Sequence, residues 1–172
     1  AVAGSPSADN DALVLPLYKN DDNHELVVLD PETHATRWRE QIAQRWTKSG
    51  LALDDDRIYS IGSDGLVARD RTDGSEAWSF GGNGHANASV YTTPTVAGDT
   101  VYVAGYGDSS AKVTALAAAT GETRGTISVE KNESVDHNVP AVTDGLFYLV
   151  TSQNDVVAIG ECDTALFGHC LA

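Results

Sequence analysis

The two cysteines of this 172-residue chain, Cys162 and Cys170, are the residues whose type and spacing first suggest chemistry. Thiols eight positions apart can close a small disulfide loop in an oxidising compartment. A zinc site would need further cysteine or histidine ligands at close spacing, and only His169 lies nearby. We expect the disulfide, with a pair of free thiols as the alternative.

Two acidic runs, 20–25 and 54–56, could offer the oxygen ligands that calcium prefers. Neither run has the alternating order D-x-[DN]-x-[DN]-G that folds a loop around the ion, so we predict solvated turns and no metal site. The five histidines have no paired metal-binding spacing, and no Ser-His-Asp or Cys-His nucleophile can be argued from the order of residues. The sequence therefore assigns no catalytic residue.

A nine-residue phrase recurs along the chain and organises the rest of the sequence. It occurs as DPETHATRW, DRTDGSEAW and AAATGETRG, at 30–38, 70–78 and 117–125. A second phrase recurs in step, as LALDDDRIYSI, PTVAGDTVYVA and PAVTDGLFYLV, at 51–61, 94–104 and 140–150. Internal repeats of this kind indicate a fold built from successive copies of one unit.

The length of the repeat and its β-rich residues predict the architecture. Tyr59, Tyr102 and Tyr148 are 43 and 46 residues apart, and Trp38 and Trp78 are 40 residues apart. A period of about 40–45 residues matches one four-stranded propeller blade. Within the units, β-rich runs flank turn residues such as Asp64-Gly65, which is typical of β-hairpins.

We therefore predict an all-β, propeller-type domain of about four antiparallel four-stranded blades. A flexible N-terminal lead, 1–10, precedes the propeller-repeat domain, 11–172. The expected blades are 11–47, 48–90, 91–134 and 135–172. Propellers have four to eight blades, so four blades could close alone or form a partial ring. A second chain or a longer polypeptide would complete a partial ring, and the sequence leaves these cases open.

The phrase D-x-x-T-G-x-x-x-W, following a strand of the type V-x-A-L-D, resembles the pyrroloquinoline-quinone-like (PQQ-like) repeat of β-propellers. That family includes quinoprotein alcohol dehydrogenases and non-enzymatic relatives such as the BamB-type outer-membrane assembly lipoproteins. The resemblance implies that Trp38 and Trp78 pack between adjacent blades, while Gly125 has replaced the third tryptophan. It also marks His34 as unusual, because Gly74 and Gly121 occupy that turn position in the later copies.

The resemblance also raises the question of a bound quinone. Members of the family that bind the cofactor carry an adjacent Cys-Cys disulfide, a stacking tryptophan and Glu, Asn and Asp ligands for calcium. Here Cys162 and Cys170 are not adjacent, the tryptophans match structural positions, and the haem motif C-x-x-C-H is absent. We expect no cofactor.

Dispersed acidic residues dominate the composition, with 25 Asp and Glu against 11 Lys and Arg and a net charge of -14. Such a surface disfavours nucleic acids and anionic membranes, which bind clustered cations. The longest apolar runs fall far short of the ~20 residues that span a bilayer, so we expect no membrane insertion. Acidity spread over most turns is typical of proteins from extreme halophiles, where salt screens the repulsion.

Taken together, the patterns predict a non-catalytic interaction or scaffold module from a halophile, located outside the cytoplasm. Its partner would be another protein or a further copy of itself. Two alternatives remain open at this point: a fragment of a quinoprotein-like, PQQ-dependent dehydrogenase, and a structural subunit of an extracellular filament or particle.

The net charge predicts how stability responds to salt. The melting temperature should rise as KCl is increased from dilute to molar concentration, because screening weakens the repulsion between carboxylates. KCl is preferable to a sulfate salt, which strengthens apolar burial in any protein. Circular dichroism during heating measures the effect. A melting temperature that salt leaves unchanged or lowers would contradict the halophilic interpretation.

Overall fold

The computed structural model is built from β-strands and turns. It describes residues 4–20, 23–42, 50–62, 65–81, 89–90, 92–107, 110–128, 141–143, 146–150, 156–160, 165–166 and 169–170. No helix occurs among these residues, and so none of them forms a helical segment that could cross a membrane. The all-β prediction is confirmed.

Four antiparallel sheets follow one another along the chain. The first sheet contains β1 (Ser7–Ala8), β2 (Leu13–Asn20), β3 (Asn23–Leu29) and β4 (Thr36–Ile42). The second contains β5 (Ala52–Leu53), β6 (Arg57–Gly62), β7 (Gly65–Asp70) and β8 (Glu76–Phe80). The third contains β9 (Ser89–Val90), β10 (Thr95–Ala97), β11 (Thr100–Gly107), β12 (Ser110–Ala117) and β13 (Thr123–Ser128). The fourth contains β14 (Ala141–Thr143), β15 (Leu146–Val150) and β16 (Val156–Gly160), and a separate hairpin pairs β17 (Ala165–Leu166) with β18 (His169–Cys170).

The sheets are arranged as propeller blades. Each contains a meander in which consecutive strands pair, as expected for antiparallel strands joined by short turns, and in the third sheet β9 also pairs with β11. The innermost strands of successive sheets contact one another, β1 with β5, β5 with β10 and β10 with β14. The sheets therefore stand side by side around a common axis, with β4, β8 and β13 as outer strands.

The edges of the propeller differ from the expected boundaries. β1 lies inside the predicted lead 1–10, and it pairs with β2 through Ser7 opposite Val14 and Ala8 opposite Leu13. The carboxylate of Asp9 then accepts hydrogen bonds from the backbone N–H groups of Asp11 and Ala12, which closes the turn. The first sheet thus begins at Ser7, because this turn brings the short strand back onto β2, and the domain boundaries stay a prediction.

An indole from one sheet packs on a glycine turn of the next. Trp38 on β4 lies against Gly74, and a Cβ added to that glycine would come within 2.8 Å of the ring. Trp78 on β8 lies in the same way against Gly121, where the closest approach would be 2.6 Å. Both glycines have positive φ, 80° and 74°, which other residues rarely adopt. Glycine is therefore required for two reasons: the backbone conformation disfavours other residues, and the indole leaves no room for a Cβ.

Each indole also donates a hydrogen bond to the backbone of the following sheet. Nε1 of Trp38 donates to the carbonyl of Arg71 at 2.8 Å, and Nε1 of Trp78 donates to the carbonyl of Ala118 at 2.8 Å. A buried indole N–H needs such a partner, because leaving it unpaired costs free energy. The contact thus fixes both the distance and the register between successive sheets.

The core lies between the sheets. We call the broad face of a sheet that packs on the following sheet its trailing face, and the opposite one its leading face. Cross-strand pairing places three residues in each row of the trailing faces, Val14–Val28–Trp38 in the first sheet and Tyr59–Ala68–Trp78 in the second. In the second row the small side chain of Ala68, fully buried, leaves room for two aromatic rings whose centroids are 5.8 Å apart.

Trp78 and Gly121 should be energetically coupled. Trp78→Ala should lower the free energy of unfolding by about 3 kcal/mol, the lower end for a large aromatic, because the indole is only partly buried. Gly121→Ala should cost about 1–2 kcal/mol for the left-handed backbone and about 1–3 kcal/mol more for the contact with the indole. In the double variant that second cost disappears, so the coupling should exceed about 1 kcal/mol in urea denaturation.

Gly98 provides the matched control for this cycle. Its φ is also positive, 57°, but an added Cβ would meet nothing within 4 Å. Gly98→Ala should therefore show the backbone cost alone and should add to Trp78→Ala without coupling. Additive behaviour of Gly121→Ala as well would mean that the indole does not lie on this glycine.

Candidate interaction surface

The acidic run 54–56 forms a tight turn between β5 and β6. Oδ1 of Asp54 accepts hydrogen bonds from the backbone N–H groups of Asp56 and Arg57, at 2.9 and 2.6 Å. Its Oδ2 accepts a hydrogen bond from the hydroxyl of Tyr59 at 2.6 Å. Burial and the neighbouring carboxylate raise the pKa of Tyr59 far above its usual value, so this hydroxyl stays protonated and donating. Both carboxylate oxygens of Asp54 thus accept hydrogen bonds from its own turn and the strand that follows it.

Arg71 joins the first two sheets at the same end of the propeller. Its guanidinium forms an ion pair with Asp9 and donates a hydrogen bond to the carbonyl of Asp54 at 2.6 Å. Its own carbonyl accepts the indole bond of Trp38. The Arg71 side chain is only 9% exposed, so these charge-assisted bonds act in a partly desolvated setting where they are stronger than at the surface.

Other aspartates stabilise the remaining turns at this end. Asp30 accepts hydrogen bonds from Arg37 and from the backbone and hydroxyl of Thr33, and these bonds hold its pKa well below the usual value. Asp99 forms two hydrogen bonds with Arg124, both 2.6 Å long, which lower its pKa to about 2. The carboxylates therefore stay ionised at neutral pH and can accept these hydrogen bonds.

A shallow cleft of about 300 Å³ lies between the second and third sheets at this acidic end. Its lining includes Asp54, Asp55, Asp56, Asp99 and the backbone around Ala118. Asp54 and Asp99 are engaged as described above. Across the part of the chain that the structure describes, no three His, Cys, Asp or Glu side chains gather into a group that could hold a metal ion.

The residues singled out from the sequence do not meet at one site. Trp38 and Trp78 lie inside the fold, at the first and second inter-sheet contacts. Cys162 falls outside the described residues, and Cys170 lies on β18, of whose side chains nothing is described. The disulfide therefore stays a prediction.

The outer strands differ in how well their unpaired edges are protected from pairing with another strand. β4 carries three charged residues, Arg37, Arg39 and Glu40, and charge of this kind discourages the edge of a sheet from pairing with another strand. β8 turns Trp78 and Phe80 onto the third sheet, where both pack against the core. The edge of β4 is thus protected by charge, and β8 is anchored to the third sheet by its aromatic rings.

β13 has neither kind of protection. All six of its residues are exposed, and it carries a single charged side chain, Arg124, which is bonded to Asp99 and to the hydroxyl of Thr100, whereas β4 carries three charged residues. Cross-strand pairing puts Gly125 at the position of Trp78 and Ile127 at the position of Phe80. Ile127 is 47% exposed, one of two large apolar side chains this exposed among the described residues. We call this strand and its outer rim the β13 edge. Its one signal in the sequence is Gly125, which replaces the tryptophan in the third copy of the repeat.

Three solved structures show what the chain resembles. BamB from Moraxella catarrhalis is 20% identical and superposes with a TM-score of 0.72 over 92% of this chain and 46% of that one. The computationally designed Ika4 protein is 13% identical, with a TM-score of 0.68 over 93% of this chain and 91% of that one. A quinohemoprotein alcohol dehydrogenase from Comamonas testosteroni is 18% identical, with a TM-score of 0.57 over 74% of this chain and 21% of that one.

These identities establish the fold alone, and they confirm the propeller prediction. The chain spans about half the length of the BamB structure. A search of curated proteins found no significant match. The family model described as outer membrane protein assembly factor BamB matches residues 2–165, nearly the whole chain. The chain therefore belongs to the BamB family of propeller-repeat proteins.

Proposed function

We propose that this chain is a non-catalytic interaction module that binds an extended segment of a partner protein along the β13 edge. The observation that carries the proposal is the complete exposure of β13, in contrast to the charged edge of β4 and to β8, which is anchored by Trp78 and Phe80. An unpaired outer strand presents a row of N–H and C=O groups that another strand can complete. Addition of a strand to a sheet edge is a recurrent mode of peptide recognition.

The side chains of the β13 edge suit this mode of binding. Gly125 leaves space on the trailing face, because a Cβ there would meet nothing within 4 Å. Ile127, on the same face, offers an exposed apolar contact. Main-chain hydrogen bonds would provide the affinity, and this space beside Ile127 would select the partner's side chain. Neither contribution relies on long-range charge, so binding would persist in molar salt.

Membership of the family supports this kind of function. BamB is described as an assembly factor of outer membrane proteins, and a role in contacting other proteins comes to this chain as part of the proposal. A location outside the cytoplasm and adaptation to high salt belong to it too. The net charge of -14 supports the second, and an exported location would favour the disulfide between Cys162 and Cys170.

The dehydrogenase alternative rests on the similarity to the quinohemoprotein alcohol dehydrogenase. The residues present do not fit a quinone. The chain has no adjacent cysteines, and the indoles of Trp38 and Trp78 are held between sheets by glycine turns and backbone carbonyls. Neither ring is therefore placed to stack on a cofactor, and the interaction module is the function that the geometry favours.

Site-specific photo-crosslinking in the native cells tests the proposal. Benzoylphenylalanine in place of Ile127 should yield one adduct, of the chain with a different protein. The matched control is Glu40, which is exposed and holds the equivalent register position on the charged edge of β4, and it should yield no adduct. Thr126→Lys, which adds an edge charge beside the probe, should reduce the Ile127 adduct at least about tenfold.

Three results would contradict the proposal. They are the absence of an adduct at position 127, the same adduct in equal yield at position 40, and an adduct that contains only two copies of this chain. The last result would favour the alternative of a structural subunit that assembles through its blade edges. A quinone absorbance change after addition of pyrroloquinoline quinone and calcium would favour the dehydrogenase.

A further inference from the structure

Gly125 is a glycine that the described part of the chain does not itself require. It lies inside β13, and a glycine weakens the interior of a strand because it has no side chain to pack. Gly74 and Gly121 are required by a positive φ and by an indole, but the φ of Gly125 is not positive. A Cβ added to Gly125 would meet nothing within 4 Å.

The β-bulge beside Gly125 does not require a glycine either. In each of the first three sheets, the pairing of the outer strand shifts directly before this register position. The first and second sheets carry Trp38 and Trp78 after the same bulge, so the backbone there accepts a large side chain. A glycine within a strand that no bulge or bend explains marks a place that another group approaches closely.

The trailing face of the third sheet has a hollow where the second sheet has an indole. In the second sheet, Tyr59 and Ala68 share a row with Trp78 and are fully buried. Their equivalents in the third sheet, Tyr102 and Ala115, are only partly buried. No indole from their own sheet covers these two residues, and they remain accessible from the β13 edge.

The residues around this hollow are apolar or aromatic. Gly125 and Ala115 form its base, and Ile127 borders it on the same face. Tyr102 is the inner member of the row, and its ring centroid lies 5.4 Å from that of Phe147. We call these five residues the β13 hollow. None of them is charged, so a charged side chain would lose its hydration there without gaining a partner.

We propose that an aromatic side chain of the bound segment occupies the β13 hollow. This rests on the proposed function, because the segment must add to β13 as a strand. The residue that pairs with Gly125 then places its side chain on the trailing face, and an aromatic ring there can cover a glycine of the neighbouring strand. The chain fills the same register position with an indole in its first two sheets, which indicates the size of group that fits.

The charges next to β13 favour a segment that is basic outside the aromatic residue. Arg124, the one charged residue of the strand, forms two hydrogen bonds with Asp99. The exposed Glu122 directly precedes the strand, and the chain as a whole has a net charge of -14. Complementary charge on the partner would exclude acidic segments and assist the encounter.

Fluorescence anisotropy with two labelled peptides tests the proposal. Both peptides alternate valine and threonine and end in lysines, and they differ only in a central tryptophan or leucine. The measurement is made in molar KCl, where screening leaves the central residue as the main difference. Both peptides should bind, and the tryptophan peptide should bind at least about fivefold more tightly, because contacts between aromatic rings add to apolar burial.

Gly125→Val should remove this preference, because it fills the hollow with a residue suited to strands. The two peptides should then bind within about twofold of each other, and the melting temperature of the chain should not fall. Thr126→Val is the matched control, since it introduces the same side chain at the next position, on the opposite face. It should leave the preference for tryptophan intact.

Equal binding of the two peptides to the unaltered chain would overturn this proposal and leave the proposed function standing. A preference for tryptophan that survives Gly125→Val would also overturn it, as would a preference that Thr126→Val removes equally well. Binding of neither peptide would contradict both this proposal and the proposed function.

Discussion

The packing of an indole on the glycine turn of the next sheet is the contact on which the order of the propeller depends. Apolar contacts alone do not determine how one β-meander is rotated relative to the next, because both of its faces are apolar. The indole removes this freedom, because its ring needs a position without a Cβ and its N–H needs a carbonyl. Trp38 and Trp78 find both in a single turn, Gly74 with Arg71 and Gly121 with Ala118. The remaining apolar contacts then pack in register.

The third junction shows what happens without this contact. Gly125 supplies no indole, and the ring pair of Tyr102 and Phe147, with centroids 5.4 Å apart, remains between the third and fourth sheets. The same loss leaves the β13 edge uncovered and Ile127 exposed. The feature that weakens the packing is thus the one that creates a surface for a partner. At the corresponding turn of the first sheet, His34 stands where Gly74 and Gly121 stand in the later copies, with a positive φ of 59°.

The repeat predicted the fold because the spacing of its copies and the alternation of apolar and polar residues can both be recognised in the sequence. The register of Tyr59, Tyr102 and Tyr148 carries over to the strands β6, β11 and β15. The extent of the first sheet was not predictable, because β1 is a two-residue strand held mainly by the Asp9 turn, which has no hydrophobic period. The β13 edge was not predicted either, because in the sequence Gly125 indicates only that the third copy of the repeat lacks its tryptophan. Its consequence, an exposed rim, is seen only from the pairing of Ile127 with Val113 and from the exposure of all six residues of β13.

Hydrogen exchange of the side-chain N–H groups of Trp38 and Trp78 tests whether these indoles are locked between sheets. Nuclear magnetic resonance in deuterated solvent can follow both protons, assigned through Trp38→Phe and Trp78→Phe. If each N–H is bonded to the following sheet, it should exchange only when the sheets separate, with protection that approaches that of the slowest β-strand amides. Exchange of either proton at the rate of an unprotected peptide would show that its indole is not held between the sheets.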